Sequence, residues 1–166
     1  MNAPEQASPA DLLRRHPAGV TVVTAPGPAG FTATSFTSVS LDPALVSFFV
    51  ARTASAAPAL RVAPVFAVHT LGGRQADLAR RFARSGVDRF AGVDHDEGPQ
   101  GVPILRDVPA WLVARVTHRQ PIGDHLLVAG EVVDAGGPAD QPGLAYFDGD
   151  FTVPVPLPRA AAQEVP

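Results

Sequence analysis

Residues 31–50, FTATSFTSVSLDPALVSFFV, constrain the fold more than any other stretch of this chain. Small and hydroxylated residues come first, Asp42-Pro43 makes a corner, and Leu45 to Val50 is unbroken apolar sequence. The pattern predicts a strand over Thr32–Ser40 whose side chains stay short, so that a flat polar group can lie against its backbone. Leu45 to Val50 predicts a strand covered on both faces. Thr and Ser are also ordinary solvent-face strand residues, so composition alone leaves the first half open.

The rest of the chain supplies strands to pair with it. Asp11 predicts the cap of a short helix, Leu12 to Arg15, stopped by Pro17. Gly19 to Ala25 is β-branched and dense, and the turn Pro26–Gly30 joins it to the central stretch as a hairpin. A helix is expected over Ala56–Val62 with Pro58 in its first turn. A strand follows over Val65–Leu71. Arg74 to Arg84 reads as an amphipathic helix with Leu78, Ala79, Phe82 and Ala83 on one face, Asp77 pairing with Arg81, and a left-handed cap at Gly86. Residues 87–109 read as a long surface excursion, followed by strands Trp111–His118 and His125–Asp134, a loop at Gly136–Pro142 and a hairpin about Asp148-Gly149. Many strands with few short helices predict a mainly β, nearly closed barrel. The domain is expected over residues 11–153, with a flexible N-terminus at 1–10 and a Pro-rich tail at 154–166.

Several chemistries are excluded outright. The chain has no cysteine, hence no thiolate metal site, iron–sulfur cluster or cysteine nucleophile. All 13 basic residues are arginine, so neither a Walker-type phosphate loop nor a Schiff-base lysine exists. No G-x-G-x-x-G follows a strand and no G-x-S-x-G elbow occurs. A net charge of -3 argues against a nucleic-acid partner. No window reads as a membrane span and the N-terminus does not read as a signal peptide, so a cytoplasmic location is expected. Asp94-His95-Asp96-Glu97 reads as a solvated acidic loop; no metal site is expected.

Three places can carry chemistry. Thr53 and Ser55 stand at the start of the Ala56–Val62 helix, where free N–H groups collect anions; Ser55 reads equally as a plain N-cap. Phe82-Ala83 and Arg89-Phe90 read as a core aromatic on its helix face and a surface arginine. His125 enters a strand after Gly123-Asp124 and on the residues alone reads as a satisfied structural histidine, with Asp124 shaping the turn or fixing its tautomer.

In order along the chain, HPAGVTVVTA, TATSFTSVSLDPALV, ARTAS, LARRFARSGVDRFAG and IGDHLLVAGEVVDA resemble the flavin reductase family with the FMN-binding split-barrel fold. Thr34 stands where that family usually has Asn, Ala44 where it has a second Pro, and His16 and Ala18 where it has Phe and Thr. The resemblance implies a Greek-key-like split β-barrel, usually a homodimer. It implies flavin contacts, with FMN or FAD, at Thr32, Ala33, Thr34, Ser35, Ser38, Val39, Ser40, Ala51, Thr53, Ser55, Phe82, Ala83, Arg89 and Phe90. It places His125 on the nicotinamide side as the catalytic candidate.

The activity implied is an NAD(P)H:flavin oxidoreductase, with NADH or NADPH as hydride donor and a two-component monooxygenase as the partner that receives reduced flavin. Hydride transfer of this kind needs positioning rather than an acid, base or nucleophile, which suits a chain without a catalytic constellation. A flavin carrier or redox sensor on the same barrel is the alternative. A pyridoxamine-phosphate oxidase is disfavoured by the shortage of phosphate-gripping basic residues.

Overall fold

The computed structural model describes residues 8–157, and the chain is mainly β. Most of each proposed terminal segment, 1–10 and 154–166, lies outside the described residues. Strands run in chain order as β1 (Ala18–Gly19), β2 (Thr21–Ala25), β3 (Ala29–Ala33), β4 (Thr37–Leu41), β5 (Ala44–Ala51) and β6 (Val65–Thr70). They continue as β7 (His95–Glu97), β8 (Pro103–Leu105), β9 (Ala110–Ile122), β10 (His125–Gly136), β11 (Ala145–Phe147) and β12 (Asp150–Thr152). The helices are α1 (Pro9–Arg14), α2 (Ala57–Val62) and α3 (Ala76–Ala83).

Seven strands form one sheet in the order β3-β2-β6-β9-β10-β5-β4, antiparallel throughout. Its edge strands, β3 and β4, are consecutive in sequence. The link from Ala33 to Thr37 can reach at most about 14 Å. Seven strands laid flat would hold their outer members about 29 Å apart. The sheet must therefore curl until its edges meet, which makes it a barrel. Ser35 fastens the junction: its hydroxyl accepts from Phe49 N–H at 3.0 Å and donates to Phe49 C=O at 3.1 Å.

The apolar pattern fills two compartments. Inside the barrel, Val23, Phe48, Val50, Phe66, Val68 and Val128 are buried, with Phe48 and Phe66 edge to face at 5.0 Å. Outside it, Val20, Val22, Leu71, Ala79, Phe82, Leu105 and Leu144 form a second core beneath α3. Strand β2 serves both, Val22 outward and Val23 inward, which is why every residue from Thr21 to Ala25 is buried. Gly130 is required at the barrel wall, since a Cβ there would lie 2.7 Å from the Phe66 ring and 2.8 Å from Arg115 C=O.

Several expectations change. Residues 31–41 are not one strand: β3 ends at Ala33 and β4 begins at Thr37, because the chain must cross the seam between the two edges. Helix α1 is capped by Ser8, whose hydroxyl accepts from Asp11 N–H at 3.2 Å, while Asp11 answers as its capping-box partner. Asp77 pairs with Arg80 at 3.0 Å rather than with Arg81, one residue nearer on the helix face. Of the predicted α3 face, Ala79 and Phe82 are buried and Ala83 is exposed. The turn at Asp148-Gly149 is as expected, with both residues at positive φ.

The excursion at 87–109 is no open loop. It folds β7 against β8 and buries Val102, Leu105 and Val108. Two buried polar side chains of the barrel hold it. Thr24 Oγ1 donates to Pro103 C=O at 2.6 Å. His69, fully buried on β6, donates from Nδ1 to Val22 C=O at 3.0 Å and accepts Leu105 N–H at Nε2, also 3.0 Å. That pair of bonds requires a neutral imidazole.

Burial drives the His69 pKa down to about 4, against the smaller opposing pull of the Val22 carbonyl. The unfolded chain takes up this proton below about pH 6.5, whereas the folded chain does not until about 4. Folding stability contributed by neutral His69 is thus complete above pH 6.5 and is lost as pH falls toward 4, by up to about 3 kcal/mol. Urea unfolding at pH 7.5 and pH 4.5 measures the difference. His69→Leu should cost about 2–4 kcal/mol at pH 7.5 and flatten the pH profile; an unflattened profile would assign the acid sensitivity elsewhere.

Candidate functional site

The corner between β5 and α2 is bordered by the candidate residues Ala51, Thr53, Ser55, Arg89, Phe90 and His125. Strand β5 ends at Ala51, directly opposite His125 in the β5–β10 ladder. Residues 52–56 then turn, with Arg52 N–H donating to Asp124 C=O at 2.9 Å, and α2 begins at Ala57. The N-cap is Ala56, and no side chain caps it, so Ser55 is not the cap that one sequence reading made it. Its exposed hydroxyl is available to a ligand.

Ser55 and Ala56 share a cavity of about 260 Å³ with Pro28, Ala29, Gly30, Asp88, Arg89 and Phe90. This unites the corner after β5 with the segment after α3, which sequence spacing alone could not connect. Arg89 is held in place there. It donates from one terminal nitrogen to Gly30 C=O at 2.7 Å, and from Nε and the other terminal nitrogen to Arg84 C=O at 2.8 and 2.6 Å. A guanidinium has five N–H donors, so two remain for an anion. Partial burial lowers its pKa, yet an arginine stays cationic across the working range.

Phe82 has no surface to offer a ligand. It is fully buried, packs edge to face on Phe90 at 5.1 Å, and backs Gly30 so closely that a Cβ there would lie 2.8 Å from its ring. Its place is beneath the cavity wall. Ala83 is exposed on the far side of that turn, and Phe90 is half-buried between Phe82 and His95.

Along the central stretch the hydroxyls divide into committed and free. Thr32 Oγ1 donates to Ala79 C=O at 2.6 Å, pinning α3 to β3, and Ser35 carries the seam bonds to Phe49. Ala33 is buried in the barrel core, and its carbonyl accepts the Thr21 hydroxyl at 3.1 Å. Thr34, Ser38 and Val39 are exposed and Ser40 half-buried, the last three on edge strand β4 at a bulge. Thr34 and Ser38 therefore keep hydroxyls that a ligand could use.

His125 is half-buried, and its Nδ1 meets Asp124 Oδ1 at 2.6 Å. The His125 hydrogen bond, reinforced by its charge, holds the Asp124 carboxyl below its usual range. Nε2 is thereby the ring nitrogen left for other partners. Thr53 lies on that side, lining a separate cavity with Arg52, Arg61 and Asp124. Sequence reasoning named neither arginine as a site residue, nor Gly30, whose carbonyl accepts from Arg89. The spacing of Arg52 and Arg61 follows no motif, so only the fold reveals their proximity. Asp94–Glu97 is not a loop, since His95–Glu97 is strand β7, and its exposed Asp96 pairs with Arg106.

Ser35→Ala removes both seam bonds to Phe49 and should cost about 1–2 kcal/mol in denaturant unfolding. A bulkier substitution, Ser35→Leu, would break the same two bonds, so it tests the fold as well as any ligand. Unchanged stability in the alanine variant would show that the junction is held by the strands alone.

Residues 13–153 match the family model described as flavin reductase like domain. The NADH:FMN oxidoreductase of Rhodococcus qingshengii is 46% identical over 157 residues, a match covering 87% of this chain and 80% of the relative. The solved structure of a Streptomyces globisporus C-1027 NADH:FAD oxidoreductase, in complex with NAD and FAD fragments, superposes with TM-score 0.83 at 35% identity. That match covers 97% of this chain and 99% of the other. Nitrilotriacetate monooxygenase component B homologue from Mycobacterium thermoresistibile superposes with TM-score 0.82 at 27% identity, covering 93% and 90%.

Proposed function

The chain belongs to the flavin reductase-like domain family, and from that premise we propose that it is an NADH-dependent flavin reductase. Bound flavin supplies the hydride acceptor and reduced nicotinamide the donor; the protein supplies position. The observation that carries this reading is the cavity joining Ser55 to Arg89. It sets a free hydroxyl and a backbone-anchored guanidinium around a space suited to a phosphate end. Arg89 neutralises that phosphate with the N–H groups not donated to Gly30 and Arg84. Thr34 and Ser38 offer hydroxyls to the rest of the flavin.

His125 orients the nicotinamide nucleotide, with Asp124 fixing its tautomer. Reduced flavin then passes to a partner monooxygenase, a reading supported by the likeness to a monooxygenase component B. A second copy of this chain covers β4, where Val39 is 56% and Leu41 89% exposed along an unpaired strand edge. No helix among the described residues is long and apolar enough to cross a membrane.

Oxidation of NADH and NADPH by the purified protein, with FMN, FAD, riboflavin or no added flavin, tests the activity. Turnover that needs flavin is expected, and FMN binding without any nucleotide oxidation would replace the reductase with a flavin carrier. Arg89→Gln should weaken FMN about 10- to 100-fold and spare riboflavin, which lacks the phosphate. Equal losses for the two would reduce Arg89 to a loop fastener. His125→Ala should lower NADH turnover more than flavin affinity; a parallel fall in both would remove it from the nicotinamide side.

A further inference from the structure

Four arginines border the corner after β5, and two of them are committed to backbone. Arg89 holds Gly30 and Arg84. Arg119 donates to Leu60 C=O at 2.9 Å and to Ala63 C=O, closing the C-terminal end of α2. Arg52 and Arg61 are different. Among the described residues, neither guanidinium makes a hydrogen bond or ion pair, and both line the same two cavities. One, of about 150 Å³, is completed by Pro121, His125 and Leu126. The other, of about 400 Å³, is completed by Thr53 and Asp124. Neither shares a lining residue with the Ser55–Arg89 cavity.

The place is anchored through its backbone and positive. Arg52 N–H is tied to Asp124 C=O, His125 is paired across from Ala51, and Arg61 rides on α2. The one carboxylate present, Asp124, is already bonded to His125, so it cannot neutralise both guanidiniums. Paired guanidiniums suit an anion with several oxygens, a phosphate ester above all. A flavin reductase also needs such a place. Two phosphate-bearing nucleotides must share its site, and their like charges repel unless each has its own cations.

We propose that Arg52 and Arg61 form a second phosphate-binding site, which takes the pyrophosphate or ribose phosphate of a dinucleotide. The proposal rests on the reductase reading. Two dinucleotides carry that chemistry, the nicotinamide donor and FAD, and binding measurements separate them.

Arg52→Gln, Arg61→Gln and the double variant are compared with wild type by fluorescence titration of NADH, NADPH, FAD, FMN and riboflavin at low and physiological salt. Thermal unfolding checks that these exposed positions leave the fold intact. Each substitution should weaken the dinucleotide that docks there by about 10-fold and the double variant by more, with a shallower salt dependence. FMN and riboflavin should change by less than about twofold. A fall for NADH and NADPH with FAD retained assigns the site to the nicotinamide nucleotide, and a larger fall for NADPH assigns it to the ribose phosphate. A fall for FAD alone assigns it to the flavin adenylate.

Unchanged affinity for all three dinucleotides overturns the proposal, as do losses shared equally by riboflavin. The reductase reading stands in either case if the wild type oxidises NADH only when flavin is added. A wild type without that turnover overturns the reductase reading instead.

Discussion

The geometry of this protein follows from a length mismatch. Three residues connect the two outermost strands of a seven-stranded sheet, and no flat sheet can satisfy so short a link. Closure is thus imposed by covalent connectivity, and the side chains at the seam have only to accommodate it. Ser35 does so with one hydroxyl acting as donor and acceptor on the same residue of β5. Phe36, the last residue of the link, packs against the barrel core as the chain crosses.

Closure also decides where a ligand can meet the chain. With the barrel filled by Phe48, Phe66 and their neighbours, no nucleotide can enter it. Binding must occur on the outside, at the ends of strands, and the corner after β5 is where several ends coincide. Gly30 at the start of β3, Ala51 at the end of β5, His125 at the start of β10 and the first turn of α2 all border it. Arg89 reaches the same corner from the segment after α3 because Gly30 presents a carbonyl to it.

Much of the fold was legible where periodicity and turn chemistry agreed. The β-branched density of Gly19 to Ala25 foretold a strand, which runs over Thr21–Ala25 and is buried throughout, and Asp148-Gly149 foretold its hairpin. What the sequence concealed was long-range and polar. Residues 31–41 read as one strand because a seam crossing leaves no local signature. The β7–β8 hairpin was hidden because its anchors are backbone groups, met by Thr24 and His69 from distant strands. Among the site residues, the hydroxyls of Thr32 and Ser35 carry the same letters as those of Thr34 and Ser38. Only the structure separates those that hold α3 and the seam from those left free. Arg52 lies within the ARTAS block, but its convergence with Arg61 depends on the turn between β5 and α2 and left no signal.

The attachment of the β7–β8 hairpin has an evolutionary consequence. The barrel grips it by a carbonyl at Pro103 and an N–H at Leu105, groups that nearly every residue possesses. The side chains of the hairpin's exposed face are therefore under little constraint from docking. Substitution of the exposed residues Asp94 to Glu97 can proceed while that grip and the buried Val102, Leu105 and Val108 are kept. A barrel that grips a flanking hairpin through backbone groups is a scaffold on which relatives can diversify one exposed wall without rebuilding the rest.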